Sequence, residues 1–475
     1  MGSGQVTDWQ GKHVTVAGLG VSGIPAAKVL HGLGAAVTVV NDGDDERARA
    51  QAADLEALGI TVRLGDGATL PEGTELVVTT PGWKPDKPLF TAARAAGLEI
   101  WGDVELAWRL RGPDAAPWLA VTGTNGKTTT VQMLASILKA AGLRTAAVGN
   151  IGVSLLDVVL GDKQYDVLAV ELSSYQLHWA PSLRAHSAAV LNLAPDHLDW
   201  HGSMEAYAKD KGRVYEGNRV ACVYNVADKA TEDLVREADV EEGCRAVGFT
   251  LGTPGPSQLG VVEDILVDRA FVENRQKNAQ ELAEISDVNP PAPHNIANAL
   301  AAAALARAYG VPAAAVRDGL RAFTPDAHRI AHVADVDGVA YIDDSKATNT
   351  HAAQASLAAY ESIVWIAGGL AKGATFDELV AGAAGRLRGV VLIGADRALI
   401  REALARHAPE VPVVDLDRTD TGAMLAAVRE ARTLARTGDT VLLAPACASM
   451  DMFVNYNRRG DAFAEAVREL AATDG

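Results

Sequence analysis

Leu119-Ala120-Val121-Thr122 runs straight into Gly123-Thr124-Asn125-Gly126-Lys127-Thr128-Thr129-Thr130. The first four residues are an apolar run with the composition of a buried strand. The next are a Gly-rich turn. Val131, Leu134 and Leu138 then recur at spacings of three and four, the period of a helix face turned to a core. Strand, turn and helix in that order make a βα unit, so the chain is expected to be α/β. Successive backbone N–H groups from Gly123 through Thr124 and Asn125 to Gly126 would form an anion nest at the helix N-terminus. Lys127 can reach the β/γ-phosphates of a nucleotide, and the Thr128 hydroxyl can ligate Mg2+. The fit to G-x-x-x-x-G-K-[ST] is imperfect, because Val121 stands where the first Gly belongs. An ordinary βα turn is the alternative reading. A metal here needs a carboxylate as well. Glu171 ends the run Val167-Leu168-Ala169-Val170, where a side chain can face phosphates at the C-terminal edge of a sheet.

The same alternation extends outward. Short apolar runs at Val14–Ala17, Val37–Val40, Leu76–Thr79, Ala188–Leu193, Ile363–Ala367, Val390–Ile393 and Val441–Ala444 are separated by Ala-rich helical patterns. Such runs fit strands covered on both faces, hence mostly parallel sheets. Turn chemistry at Arg111-Gly112-Pro113-Asp114 and Phe323-Thr324-Pro325-Asp326 suggests three domains, 1–112, 113–326 and 327–475. The first and third read as Rossmann-like, and the central one carries the phosphate loop. The stretch Asp264–Pro293 is polar and poorly periodic, which predicts a hairpin or a long loop. Gly18-Leu19-Gly20-Val21-Ser22-Gly23 is a second Gly-rich turn, between the strand Val14–Ala17 and a helix, with Asp42 closing the next strand. That is a dinucleotide-binding context, but the same turn serves other ligands or tight strand–helix packing.

Composition limits the partners. The chain has 475 residues, 43 Lys plus Arg against 60 Asp plus Glu, and a formal charge of −17. The acidic excess argues against a general nucleic-acid binder, which needs clustered cations. With 48% hydrophobic residues the chain can bury several cores. Cys222, Cys244 and Cys447 form no CxxC, so neither a disulfide framework nor a zinc ribbon is suggested, and a reducing, cytoplasmic setting is expected. Met1–Gln10 is polar and has no apolar leader pattern. Asn298–Val316 is apolar but broken by Arg307 and Gly310, which predicts a buried helix pair and no membrane span.

Three blocks together resemble the Mur ligase family: the loop Thr122–Thr130, Asp196-His197-Leu198-Asp199, and His294-Asn295-Ile296-Ala297-Asn298-Ala299. Asp344-Ser345-Lys346-Ala347-Thr348-Asn349 and Pro445-Ala446-Cys447-Ala448-Ser449-Met450-Asp451, with Phe453 and Arg459-Gly460, are most similar to the branch that adds D-glutamate. The resemblance implies an ATP-dependent ligase that joins D-glutamate to UDP-N-acetylmuramoyl-L-alanine through an acyl phosphate, with two Mg2+ ions, as a monomer. It implies that Lys127, Thr128 and Thr129 hold the ATP phosphates and Mg2+, and that Glu171 and His197 are metal or near-metal ligands. Lys211 corresponds to a lysine carbamylated in the family. Asn295 and Asn298 fall near adenine, and Arg329 and Asp344 contact the nucleotide from the third domain.

The turn Gly18–Gly23 is reinterpreted by the same resemblance. Gly20, Val21 and Ser22, with Asp42 and Thr80-Pro81-Gly82, face the uridine end of the substrate. Asn150 faces its sugar–phosphate portion, and Ser173 and Gln176 its sugar-peptide. Lys346, Thr348, Lys372, Ser449 and Tyr456 surround D-glutamate. His197 is a candidate base for the incoming amine. There are departures from the family pattern: Ala292-Pro293 replaces a Gly, Ser22 replaces a common Thr, and Phe271–Asp287 has no obvious counterpart. Spacing alone would leave Lys211, Lys346 and Lys372 as surface lysines. Cys447 reads as a small buried residue.

Overall fold

A computed structural model describes residues 8–418, 420 and 422–473. The N-terminal residues 1–7, which carry most of the polar start noted above, lie outside the described residues. The chain separates into two compact units, Met1–Val288 with Asn295–Phe323, and Asn289–His294 with Thr324–Gly475.

The first unit holds two sheets. One comprises β1 (His13–Ala17), β2 (Ala36–Asn41), β3 (Thr61–Leu64), β4 (Leu76–Thr79) and β5 (Glu99–Gly102), in the order β3-β2-β1-β4-β5. All of its pairings are parallel, and the order reverses direction at β1/β4, the switch point where α/β sheets bind ligands. The other sheet comprises β6 (Trp118–Thr122), β7 (Ala147–Gly149), β8 (Leu168–Glu171), β9 (Ser187–Val190), β10 (Ala221–Asn225), β11 (Arg245–Phe249), β12 (Gln258–Val262), β13 (Ile265–Asp268) and β14 (Gln280–Glu284). Its order is β14-β13-β12-β11-β10-β9-β6-β8-β7. β6 lies inside the sheet between β9 and β8 and is buried along its whole length, which is why its sequence is an unbroken apolar run. The strands β12, β13 and β14 are antiparallel neighbours, so the polar stretch from Asp264 is the hairpin limb expected of it.

The strand predicted over Ala188–Leu193 stops at Val190. Its last residues turn away to brace the phosphate loop. Asn192 O accepts from Thr124 N at 3.0 Å, and Asn192 Oδ1 from Asn125 N at 2.8 Å. The apolar stretch from Asn298 forms parts of two helices, Pro293–Ala308 and Ala313–Ala322. Every residue from Ala299 to Ala306 is buried, so this helix has no polar face to show in its sequence. No helix of the described residues is long and apolar enough to cross a membrane.

The second unit carries β15 (Ala331–Val336), β16 (Val339–Asp343), β17 (Ile363–Gly368), β18 (Leu387–Ile393), β19 (Val413–Asp415) and β20 (Thr440–Leu443). The order is β15-β16-β20-β17-β18-β19, parallel except for the β15 edge. Separate apolar clusters cover the two faces of this sheet, as a Rossmann-like layer requires.

Candidate active site

The phosphate loop leaves β6 and enters the helix Lys127–Ala140. Gly126 sits at φ 84°, a left-handed conformation, and a Cβ there would lie 2.4 Å from Asn298 Oδ1. Asn298, which in turn donates to Asn295 Oδ1 at 3.3 Å, therefore rests directly on the loop. Glycine at this position allows that approach. The Thr124 hydroxyl is shared between Ala194 O at 3.1 Å and Tyr207 Oη at 2.9 Å. With Thr124 N and Asn125 N bonded to Asn192, two of the predicted nest donors serve to shape the loop. The N–H groups of the first helical turn, at Lys127, Thr128 and Thr129, point toward the loop side of the helix.

Two lysines converge on one carbonyl. Lys127 Nζ donates to Gly123 O at 2.9 Å and Thr124 O at 2.8 Å. Lys211 Nζ, from the helix Met204–Gly212, donates to the same Gly123 O at 2.8 Å and reaches Thr122 Oγ1 at 3.4 Å. Lys211 is 2% exposed. Burial, with Lys127 close by, pushes its amine well below the ordinary lysine range, against the pull of Asp196 and Glu171. That shift favours the neutral amine over the ammonium.

Glu171 ends β8, 2% exposed. Its Oε1 accepts from Asn150 Nδ2 at 3.0 Å, while Oε2 is buried with no hydrogen-bond partner among the described residues. Asn150, expected at a sugar–phosphate, is thus also the orienter of Glu171. His197 opens a short helix at φ 54°, with Nε2 3.5 Å from Asp196 Oδ2. Burial lowers its pKa; Asp196 opposes this, and Lys127 and Lys211 reinforce it. It is neutral at neutral pH and can accept a proton or ligate a metal. Oxygens from Thr128 and Glu171 suit a hard cation, whereas the imidazole nitrogen of His197 is a softer donor. An uncharged Lys211 amine does not suit one, but its carbamate would. The orphaned Glu171 oxygen is the observation that fits Mg2+ to this place. Among the described residues no three His, Cys, Asp or Glu side chains form a metal cluster by themselves.

At the first sheet, Gly18 and Gly23 close a turn too tight for side chains. A Cβ on Gly23 would fall 2.0 Å from Gly18 O, and one on Gly18 would fall 2.6 Å from Thr80 Oγ1. Gly20 lies beside the Thr80-Pro81-Gly82 turn as well, where a Cβ would fall 3.8 Å from Thr80 Cγ2. Val21 is 91% exposed at its tip. Asp42 is paired with Lys87 Nζ at 2.5 Å, and that ammonium also lies 4.6 Å from the Trp83 ring centre. Trp83 and Lys87 were not legible as site residues; their only signal is that they follow the turn. Ser173 and Gln176 form a capping box: Ser173 Oγ accepts from Gln176 N at 3.2 Å, and Gln176 Oε1 from Ser173 N at 3.1 Å. The first and second sheets meet at this seam. Trp200 Nε1 donates to Gly82 O at 3.2 Å, and Lys84 Nζ to Asp199 O at 2.7 Å.

The second unit gathers the remaining candidates. Asp344 follows β16 and is buried. Burial lifts its pKa to about 6, against the Ser356 hydroxyl and the Arg329 guanidinium. His328, bonded to Asp343 Oδ2 at 2.6 Å, takes Lys346 N on its carbonyl at 3.2 Å. Lys346 Nζ lies 5.2 Å from the Tyr456 ring centre. Thr348 N donates to Lys346 O at 2.8 Å. Lys372, at φ 50°, and the buried Ser449 lie on loops joined by the bridge Leu370–Ala448. Arg459, 1% exposed, ties the loop of Ser345 to that of Cys447: it donates to Ser345 Oγ at 3.0 Å, Ser345 O at 2.8 Å and Cys447 O at 3.1 Å. Cys447 is buried, and its thiol is pushed up to about 12 by burial, which removes it as a nucleophile. Cys222 and Cys244 are free thiols with sulfurs 3.9 Å apart, brought together by the parallel strands β10 and β11.

Residues 121–306 match the Mur ligase middle domain, and residues 328–447 the glutamate ligase domain of Mur ligases. The chain is 89% identical over 467 residues to the UDP-N-acetylmuramoylalanine–D-glutamate ligase of Streptomyces avermitilis, covering 98% of this chain and 100% of that one. It is 60% identical to the enzyme of that name from Thermobifida fusca, over 97% and 99% of the two chains. Among solved structures it is similar in fold to the MurF ligase of Thermotoga maritima in complex with ADP, with a TM-score of 0.57, 16% identity, and 97% and 96% of the chains covered. Sequence relatives at such identity over nearly full length, and a fold shared with distant structures, leave one conclusion: this chain belongs to the Mur ligase family.

Proposed function

We propose that the chain is an ATP-dependent, ADP-forming ligase that adds D-glutamate to UDP-N-acetylmuramoyl-L-alanine in peptidoglycan precursor synthesis, acting as a cytoplasmic monomer. The activity is the one named for the relatives it matches. One observation supports the chemistry best: Lys127 and a buried, desolvated Lys211 meet on Gly123 O beside a carboxylate, Glu171, with an unpartnered oxygen. We read three functional domains, 1–112 for the UDP end, 113–326 for ATP and 327–475 for the amino acid.

A carboxylate is a poor electrophile. Transfer of the γ-phosphoryl group to the alanyl carboxylate releases ADP and forms an acyl phosphate, whose phosphate is a good leaving group. Lys127 and the first-turn N–H groups of its helix hold the phosphate oxygens and offset their charge. Thr128, Glu171, His197 and a carbamylated Lys211 would hold two Mg2+ ions, which supply charge neutralisation on the phosphates when bound. The amine of D-glutamate attacks only in its neutral form, so a base must take its proton; His197 is uncharged and so able to do so. The tetrahedral adduct then expels phosphate and leaves the amide. Arg329 and Asp344 are assigned to the nucleotide, and Lys346, Thr348, Lys372, Ser449 and Tyr456 to the two carboxylates of D-glutamate.

The test is phosphate release from ATP with UDP-N-acetylmuramoyl-L-alanine and a panel of amino acids. Release with D-glutamate alone among the panel is expected. Equal release with L-glutamate, or release without the UDP-linked substrate, overturns the reading.

A further inference from the structure

The helix Asp103–Leu110 begins where β5 ends, and two of its carboxylates reach across the seam between the two sheets of the first unit. Glu105 is fully used. It accepts from Arg109 Nε at 2.7 Å, Ser182 N at 3.0 Å and Ser182 Oγ at 2.5 Å, which makes it a structural tie. Asp103 is different on two counts. Its Oδ2 accepts from Ser22 Oγ at 3.0 Å and from Gln176 Nε2 at 3.4 Å, one residue from each sheet's Gly-rich or capping turn. Its Oδ1 is closed off from solvent with no hydrogen-bond partner of good geometry among the described residues. Burial raises its pKa in spite of Ser22, Gln176 and the Val104 amide. A carboxylate held at such a cost is kept by what it organises.

What it organises is specific. Ser22 occupies the N-cap of the helix Gly23–Gly32 but makes no cap bond to it. A capping serine ordinarily turns its hydroxyl onto its own helix. Here the hydroxyl is turned outward to Asp103. Gln176 has its carbonyl end committed to Ser173, so only its amide nitrogen is left to cross the seam, and Asp103 takes it.

We propose that Asp103 is a positioning residue for the UDP-linked substrate: it locks Ser22 and Gln176 into one hydrogen-bonded unit, so that the loop after β1 and the turn after β8 meet the substrate as a single preformed surface. The inference rests on the assignment of Ser22 and Gln176 to that substrate. Preorganisation lowers the cost of binding without adding a contact.

The experiment titrates UDP-N-acetylmuramoyl-L-alanine alone onto the full chain by calorimetry, alongside a non-hydrolysable ATP analogue. Asp103→Ala should weaken the UDP-linked substrate about tenfold or more, the order of one lost charge-assisted hydrogen bond. Affinity for the ATP analogue should stay within about twofold, and KM for the UDP-linked substrate should rise more than kcat falls. Asp103→Asn, which keeps an acceptor for both partners, should restore most of the affinity. The double variant Asp103→Ala, Gln176→Ala should bind no more weakly than the weaker single variant. If Ser22→Ala or Gln176→Ala weakens binding and Asp103→Ala does not, Asp103 has no such role. If all three bind like the parent, the substrate assignment itself is wrong and the proposal goes with it. Should Asp103→Ala fail to fold by its melting curve, the cycle between Ser22→Ala and Gln176→Leu decides: coupled losses support the shared unit, additive losses overturn it.

Discussion

Lys209 and Lys211 stand two residues apart on one helix, and the fold treats them oppositely. Lys209 is exposed, whereas Lys211 points into the layer behind the phosphate loop. Burying an ammonium beside Lys127 is unfavourable, which favours the neutral amine, the form that reacts with CO2. The product is an anionic carbamate with two oxygens for Mg2+. Lys211→Ala should therefore lose nearly all activity and regain part of it when a short carboxylic acid is added to the buffer, while Lys209→Ala matches the parent in the same assay. Full activity of Lys211→Ala would end the carbamate assignment. Lys127 makes a second case at this scale. Its ammonium donates to two loop carbonyls, Gly123 O and Thr124 O. Lys127→Ala should melt within a few degrees of the parent yet form no acyl phosphate, as read by trapping with hydroxylamine. Lys211 shows how far sequence reaches at this scale. Its position four residues after Tyr207 places both on one helix face. Its burial depends on Gly123 and Thr122, some ninety positions away along the chain, and no local pattern reports that.

Strand ends do most of the positioning, because in parallel sheets the loops at the C-terminal edge gather side chains from several strands. Glu171 at the end of β8 and Asp42 after β2 were legible this way, whereas Asp344 after β16 was reached through the family resemblance. The Asp344 carboxyl is the clearest titration case. Its pKa is raised from the ordinary 3.8 to about 6, chiefly by burial. A raised folded-state pKa means that the native state holds the proton more tightly than the unfolded chain. The stability linked to that proton is complete below pH 3.8 and lost as pH rises through about 6. The shift corresponds to about 3 kcal/mol at most, at about 1.4 kcal/mol per unit. Asp344→Asn, which has no such proton to lose, should gain melting temperature relative to the parent between pH 4.5 and 7.5 while turning over more slowly. An unchanged difference across that range would show that Asp344 does not titrate there. Asn192 was read as strand and proved to be a brace. Its strand pairing ends because its carbonyl and side chain are committed to Thr124 and Asn125, a tertiary demand that overrides an apolar run.

Across the whole molecule the candidate groups fall into the two compact units. Lys127, Glu171, His197 and Lys211 lie in the first, and Arg329, Asp344, Lys346 and Tyr456 in the second. Losses should divide accordingly. Lys346→Ala removes a cation from the proposed D-glutamate side and should raise KM for D-glutamate about tenfold or more, with KM for ATP within about twofold. Binding of the UDP-linked substrate alone should be unaffected. Equal rises in both KM values would refute the assignment of Lys346. The α/β class, the buried inner strands and the Gly-rich loop after β6 were legible in the sequence alone, because burial on two faces forces unbroken apolar runs and a tight turn forces glycine. So was the family, through motifs that recur in fixed order. Only the tertiary structure decided which polar groups are buried together: the Arg459 tie between two loops, the meeting of Lys127 and Lys211 on one carbonyl, and the seat of Asp103 between Ser22 and Gln176. A side chain's hydrogen-bond partners and its protonation are set by neighbours distant in the chain, and those exist only once the sheets have packed.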